Sequence, residues 1–107
     1  MPAYNASPTI HNAISSVLDQ TFQDWELIVI DDNSTDNTVD LISAYSDCRI
    51  KLISLPTNQG PGHCRDLGLK EANGIYVAFL DSDDLWYSLF LSVYVEALQY
   101  YSVDLVY

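Results

Sequence analysis

An α/β fold with a mainly parallel sheet is what the 107-residue sequence predicts. Three observations lead there. Helical and strand patterns alternate along the chain with few interruptions, an order that gives a parallel sheet with helices on its faces. Two runs, "WELIVI" and "IYVAFL", are apolar almost throughout, as strands buried on both faces are. Each of these runs ends in an aspartate, Asp31 and Asp81.

The chain opens on "MPAYN", which reads as the turn leaving a strand that is absent or reduced to Met1. "SPTIHNAISSVLDQ" follows as a helix, with Ser7 as its cap and Pro8 at the first helical position, where no N–H partner is needed. Ile10, Ile14, Val17 and Leu18 form its apolar face. "WELIVI" is the next strand. "DDNSTDNTVDLISAYS" begins as a loop whose Ser, Thr, Asp and Asn side chains can bond the free N–H groups of a first turn. It continues as a helix with Val39, Leu41, Ile42 and Tyr45 on its apolar side. "RIKLISL" alternates and reads as a more exposed strand near an edge. "PTNQGPG" is a loop, and a helix covers about residues 61–72 with Gly74 as its stop. "IYVAFL" is a further strand. Residues 88–101 read as a helix facing inward through Leu89, Phe90, Val93, Ala97 and Leu98, and "VDLVY" begins one more strand. The whole is a Rossmann-like three-layer sandwich, apparently truncated at both ends, and residues 1–107 are expected to form part of one larger domain.

Composition narrows the partners. A chain that is 49% hydrophobic carries enough core material to fold. The net charge of −11, with only four Lys and Arg residues, excludes nucleic acid as a partner, because phosphate backbones need clustered basic groups. An anionic ligand here relies on backbone N–H groups, a helix N-terminus or a metal cation. Cys48 and Cys64 lie far apart without a CxxC pattern, which argues against a disulfide scaffold and for a reducing compartment. No apolar run reaches the roughly 20 residues that span a bilayer, and no signal peptide opens the chain.

Ligands of open α/β sheets bind beyond the carboxyl ends of the strands. Three stretches are predicted to meet on that rim: Pro2-Ala3-Tyr4-Asn5, Asp31-Asp32-Asn33-Ser34 and Asp81-Ser82-Asp83-Asp84. The last packs three carboxylates into four residues. As a plain turn it would cap the next helix through Ser82 or Asp84. As a site, Asp81 and Asp83 would share a hard divalent cation, with Ser82 between them facing away. Asp31 and Asp32 either favour a helix start or accept hydrogen bonds from a base or hydroxyl. Tyr4 is a turn aromatic or a stacking platform. Arg65 pairs with a phosphate or with an acidic rim residue. Asn58, Gly60 and Gly62 read as loop residues, His63 as a helix-start histidine, and Cys64 as core, since no His–acid relay surrounds it.

"MPAYNASPTIHNAISSVLDQTFQDWELIVIDDNSTDNT" and "NQGPGHCRDLGLKEANGIYVAFLDSDDLW" together resemble the amino-terminal half of a family 2 glycosyltransferase of the GT-A fold. The resemblance covers nearly the whole chain. It rests on the PAYN turn, the Gln-Thr-Phe before the second strand, IDDNSTD, the Asn-x-Gly loop, the Arg before a helical Gly, and FLDSDD. It implies an inverting transferase that uses a nucleotide-sugar donor, UDP-linked, to build a polysaccharide or glycolipid. Pro2 and Tyr4 would then contact the base, Asp32 would hydrogen-bond it and Asp31 would support the turn. Asp81 would hold the ribose or sugar, and Asp83 would coordinate Mn²⁺ or Mg²⁺ on the diphosphate. Pro2, Tyr4, Asn5, Asp31, Asp32, Arg65, Asp81 and Ser82 are the implied nucleotide-sugar residues; Asp83 and Asp81 are the metal ligands. Asp66 stands where the family often has Asn, and Ser88 where it often has Pro. The family's catalytic base is expected beyond Tyr107, so no catalytic residue is assigned and the chain alone should not turn over. The glycan or glycolipid acceptor would be met by that other half. The implied location is the cytoplasm, with the longer protein at the inner face of the membrane.

Two rivals remain. A phosphoacceptor receiver domain would explain "ELIVIDDN" and "VAFLD", yet it needs Met-Pro-x-x-x-Gly where Ser82-Asp83-Asp84-Leu85-Trp86 stands. A non-catalytic nucleotide-binding module fits the same rim, and fold alone does not separate it from an enzyme.

Overall fold

The apolar run that ends at Asp31 forms the central strand. In the computed structural model, which describes residues 1–101, it is β2 (Leu27–Asp31), buried over its full length. β1 (Pro2–Ala3) and β3 (Ile50–Ser54) flank it, both parallel, in the order β1-β2-β3. Ala3 lies opposite Asp31, and Asp31 opposite Ser54, so the three strands end level. β3 is the edge strand and is only partly buried, as its alternating sequence predicts. The ladder beside β1 begins one residue earlier than its strand: Ile30 N–H donates to the Met1 carbonyl at 2.9 Å.

Alternation along β2 divides the core in two. Leu27 and Val29 join Ile10, Ile14 and Val17 of α1 (Ile10–Leu18) and Ile42 of α2 (Thr38–Ser43). Ile28 and Ile30 face the other way, onto Cys64 and Leu67 of α3 (Pro61–Glu71). Helices on both faces of a parallel sheet give the three layers the sequence predicts.

Several local expectations are corrected. Ser7 does not cap α1. The turn closes on the Ala6 carbonyl, which accepts from Thr9 N at 3.0 Å and Ile10 N at 2.8 Å, and the helix starts at Ile10. The first strand is neither absent nor reduced to Met1, since Pro2 and Ala3 pair with β2. Residues 75–80 form no strand. β1 offers only two residues to pair with, and one of them is a proline without an N–H. Ile75 is accordingly 92% exposed, while Leu80 is buried in the core against α1 and β2.

The last described helix, α4 (Phe90–Tyr101), begins two residues later than predicted. Leu89 and Val93, expected inside, are exposed, and Leu98 is buried. The start of α4 is held instead by a polar clamp at the end of α1. Gln20, 1% exposed, donates through Nε2 to the Ser16 carbonyl (3.0 Å) and the Tyr87 carbonyl (2.7 Å), and its Oε1 accepts from Leu91 N (3.0 Å). Thr21 N–H donates to the Ser88 carbonyl at 2.9 Å. Trp86, Phe90 and Tyr94 then stack in series, neighbouring centroids 4.4 Å apart. The strand predicted over 103–107 lies outside the described residues.

Candidate functional site

Level strand ends put the residues that follow them on one rim. A cavity of about 450 Å³ opens there. Pro2, Tyr4 and Asn5 line it from the end of β1, Asp32 from the end of β2, Arg65 from α3, and Asp81, Ser82 and Asp83 from the turn after Leu80. All three stretches that the sequence places on the rim thus reach one cavity, although Asp31, Asn33, Ser34 and Asp84 do not line it.

Asp31 is 2% exposed and sits beneath the rim. Its Oδ2 accepts from Ser34 N at 3.1 Å, which fixes the turn after β2; its Oδ1 has no hydrogen-bond partner among the described residues. Asn33, with φ 62°, makes the left-handed step of that turn.

Asp32 is also buried at 3% exposure, yet borders the cavity. Its Oδ1 accepts from Gln59 N (2.7 Å) and its Oδ2 from Gly60 N (2.9 Å), while Asn58 Nδ2 donates to its carbonyl (3.2 Å). The sequence alone links this aspartate to the helix that follows it. The structure places it at the N-terminus of α3, where a carboxylate favours the helix dipole. Gly60 reaches this arrangement at φ 90° and ψ 160°, a conformation open to glycine. With the Cys64 thiol also hydrogen-bonded to it, the Asp32 carboxylate keeps one lone pair for a further donor. Asn58, Gln59 and Gly60 are therefore site-forming residues that sequence reading leaves as plain loop.

Tyr4 is 51% exposed and belongs to neither core cluster, so one ring face is open at the cavity. Asn5 lines the same cavity, but its carboxamide oxygen is turned to the loop after β2. Oδ1 accepts from Thr35 N (2.8 Å), Asp36 N (3.3 Å) and Thr35 Oγ1 (3.3 Å). In the other direction Asn5 N donates to Ser34 Oγ, Ala6 N to Thr38 Oγ1 and Ser7 N to an Asp36 carboxylate oxygen. The polar residues at 34–38, expected to cap a helix, spend most of their hydrogen bonds on the β1 turn. The α2 N-cap, Asn37, makes no side-chain capping bond.

Carboxylate oxygens of Asp81, Asp83 and Asp84 lie within 4.8 Å of one another. The turn is closed by Asp84 N donating to the Asp81 carbonyl at 3.0 Å. Leu80 and Trp86, packed against the core, hold it at either end. Asp84 does not serve the next helix, since α4 starts at Phe90; it joins the acidic cluster. Three oxygen donors of this kind suit a hard divalent cation such as Mg²⁺ or Mn²⁺.

Arg65 takes the second of its two predicted roles. Its Nη2 donates to Asp81 Oδ1 at 2.8 Å, with both side chains more than a third exposed (39% and 47%), which keeps the pair weak and separable. Cys64 next to it is fully buried. Burial pushes its thiol above the ordinary range, and the charge of Asp32 adds to the shift. A thiol held protonated is core, not nucleophile.

Fold and cavity define an α/β domain with an aromatic- and acid-lined cavity at the carboxyl rim of a parallel sheet. The chain belongs to glycosyl transferase family 2, whose model matches residues 1–107. It is 43% identical over 107 residues to UDP-Glc:alpha-D-GlcNAc-diphosphoundecaprenol beta-1,3-glucosyltransferase WfgD of Escherichia coli, covering all of this chain and 42% of that protein. Over 82 residues it is 46% identical to the succinoglycan biosynthesis protein ExoO of Rhizobium meliloti, covering 77% of this chain and 24% of ExoO. Among solved structures, S. aureus TarS in complex with UDP-GlcNAc superposes with a TM-score of 0.90 at 33% identity, over 94% of this chain and 30% of TarS. The TarS complex with UDP gives a TM-score of 0.89 over the same 94%. The chain thus spans less than half the length of these relatives. Membership in this family sets the receiver-domain alternative aside. Among the described residues no helix is long and apolar enough to cross a membrane.

Proposed function

We propose that residues 1–107 are part of a GT-A nucleotide-sugar-binding domain that holds a UDP-linked donor in the rim cavity together with Mn²⁺ or Mg²⁺. The protein to which this domain belongs transfers the sugar, with inversion, to a polysaccharide or glycolipid acceptor. The observation that carries this reading is the meeting of Tyr4, Asp32, Arg65, Asp81 and Asp83 around one cavity of about 450 Å³. Support also comes from relatives, one named for a UDP-Glc donor and one crystallised with UDP-GlcNAc.

The residues divide the work. Tyr4 and Pro2 cover one face of the base, since an exposed ring offers a stacking platform at little entropic cost. Asp32 accepts a base N–H through a lone pair left free by the loop amides. Asp31 keeps the turn in place from below. Asp81 and Ser82 meet the ribose or sugar. Asp83 and Asp84, with Asp81, hold the cation, and Arg65 moves from Asp81 to the donor's phosphates. A divalent cation bound there neutralises charge on the diphosphate leaving group. None of the cavity residues is assigned as the base that deprotonates the acceptor, so the chain by itself binds without turnover.

Calorimetry of the 107-residue chain with UDP and Mn²⁺ tests this. Binding that strengthens with Mn²⁺ is expected, and Asp83→Ala should abolish that metal dependence. A folded sample that gives no heat at millimolar nucleotide would refute the binding claim. Retained Mn²⁺ dependence in the variant would refute the metal assignment.

A further inference from the structure

We propose that Asn5 is a positioning residue whose latch onto the loop at 34–36 sets the direction of Tyr4, so that base stacking depends on a side chain that does not touch the nucleotide. The inference rests on the reading of the cavity as a nucleotide site.

Tyr4 has little to hold its ring. It is half exposed and packs into neither core cluster. Its direction is therefore fixed by backbone on either side. Ala3, before it, is 2% exposed and paired in β1. Asn5, after it, adopts φ 47°, the left-handed region that Asn, Asp and Gly enter most readily. That step turns the chain sharply at Tyr4, and something must keep it turned.

The loop at 34–38 does so from the far side. Three successive amides, those of Asn5, Ala6 and Ser7, donate to side chains of Ser34, Thr38 and Asp36 at 2.9, 2.9 and 3.2 Å. Asn5 Oδ1 answers by accepting from Thr35 N and Asp36 N. The Thr38 hydroxyl and amide hold the Asp36 carboxyl down at about 2, so it remains an ionised acceptor at neutral pH. Two segments about thirty residues apart in the chain are thus joined reciprocally, and Tyr4 stands at the edge of the joint.

Two substitutions separate the acceptor from the backbone angle. Asn5→Gly keeps the left-handed conformation and removes Oδ1. Asn5→Asp keeps both the conformation and an acceptor but removes the side-chain NH₂, the group that a direct contact with nucleotide would use. The measurement is calorimetric affinity for UDP and, separately, for inorganic pyrophosphate, each with Mn²⁺, on variants whose fold is checked by circular dichroism. Asn5→Gly should weaken UDP about tenfold, the effect of losing roughly 1.4 kcal/mol of positioning. Pyrophosphate should bind it as it binds the unaltered chain, because no base is involved. Asn5→Asp adds a charge that weakens UDP and pyrophosphate alike, so its ratio of UDP to pyrophosphate affinity should stay within about twofold of the unaltered chain's, while that ratio falls about tenfold in Asn5→Gly. An equal loss for UDP and pyrophosphate in Asn5→Gly, or a ratio of UDP to pyrophosphate affinity in Asn5→Asp as low as in Asn5→Gly, overturns the positioning role. So does unaltered UDP binding by Asn5→Gly. Absence of UDP binding in the unaltered chain removes the nucleotide reading itself, and the inference with it.

Discussion

Gln20→Leu should release the start of α4 from the rest of the molecule. The side chain is 1% exposed, and all three of its hydrogen-bonding contacts are described above: two carbonyls accept from Nε2, and Leu91 N donates to Oε1. Leucine is close in size and fills the space, but it leaves the Leu91 amide without its partner and takes one of two donors from the Tyr87 carbonyl, which keeps Phe90 N. At a net value of about 1 kcal/mol per bond, three lost bonds remove about 3 kcal/mol. For a domain of this size each kcal/mol shifts Tm by roughly 4–8 °C, so the melting point should fall by about 12–24 °C. Urea unfolding measures the loss, and hydrogen exchange locates it. The Leu91 amide should exchange far faster in the variant, while amides of β2 slow down or speed up only with global stability. A Leu91 amide as protected in Gln20→Leu as in the parent chain would refute the clamp. A large loss of stability spread evenly over β2 and α4 would show that Gln20 serves the core as a whole.

Three other outcomes are expected. Gly60→Ala should cost about 1–3 kcal/mol through backbone strain alone, because φ is 90° and an added Cβ meets no atom within 4 Å; a denaturation midpoint equal to the parent's contradicts this. Asp36 and Asp47 are held down at about 2 by hydrogen bonds from Thr38 and Arg49, so their stabilisation is present above pH 4 and fades as pH falls toward 2. Melting curves of Asp47→Asn and the parent should therefore differ at neutral pH and converge near pH 2; parallel curves would exclude the linkage. Cys48 is exposed and Cys64 buried, so a thiol reagent at pH 8 should label Cys48 at once and Cys64 only as fast as the chain opens; equal rates would contradict the burial of Cys64.

Much of the fold was legible because its signals are local. The continuous apolar run at 27–30 reads as a doubly buried strand, and it is one. The alternation at 50–54 reads as an edge, and β3 lies at the edge. "IYVAFL" carries the same kind of signal and forms no strand, because a strand is a property of two segments and β1 supplies only Pro2 and Ala3. The rim was legible in the same partial way. Strand ends locate Tyr4 and Asp32 on one side of the sheet, since a parallel sheet has one carboxyl edge, and Asp81 reaches the same rim although no strand precedes it. Which donors each carboxylate finds was not legible. Asp32 takes the amides of Gln59 and Gly60, and Asp36 those of Ser7 and Thr38, partners from different stretches of chain. Polar side chains carry their bonding capacity in the sequence but not their addressees. The same holds for Gln20, whose place in a Gln-Thr-Phe motif gives no hint that it holds α4.

The adjacent aspartates at the end of β2 have a bearing on how the sheet is assembled. Asp31 is sealed under the rim and Asp32 is joined to the start of α3, and their neighbours in β1 and β3 stop at the same level. Side chains along a strand change face at every step, so a slip of β2 by one residue would move one carboxylate into the other's surroundings and displace the other from both. It would also send Ile28 and Ile30 toward α1 and α2, and Val29 toward α3. The doublet therefore works as a register gauge. A one-residue shift that puts Asp31 in the place of Ile30 leaves a negative charge among the apolar groups around Cys64, which penalises that alignment more than loss of packing alone would.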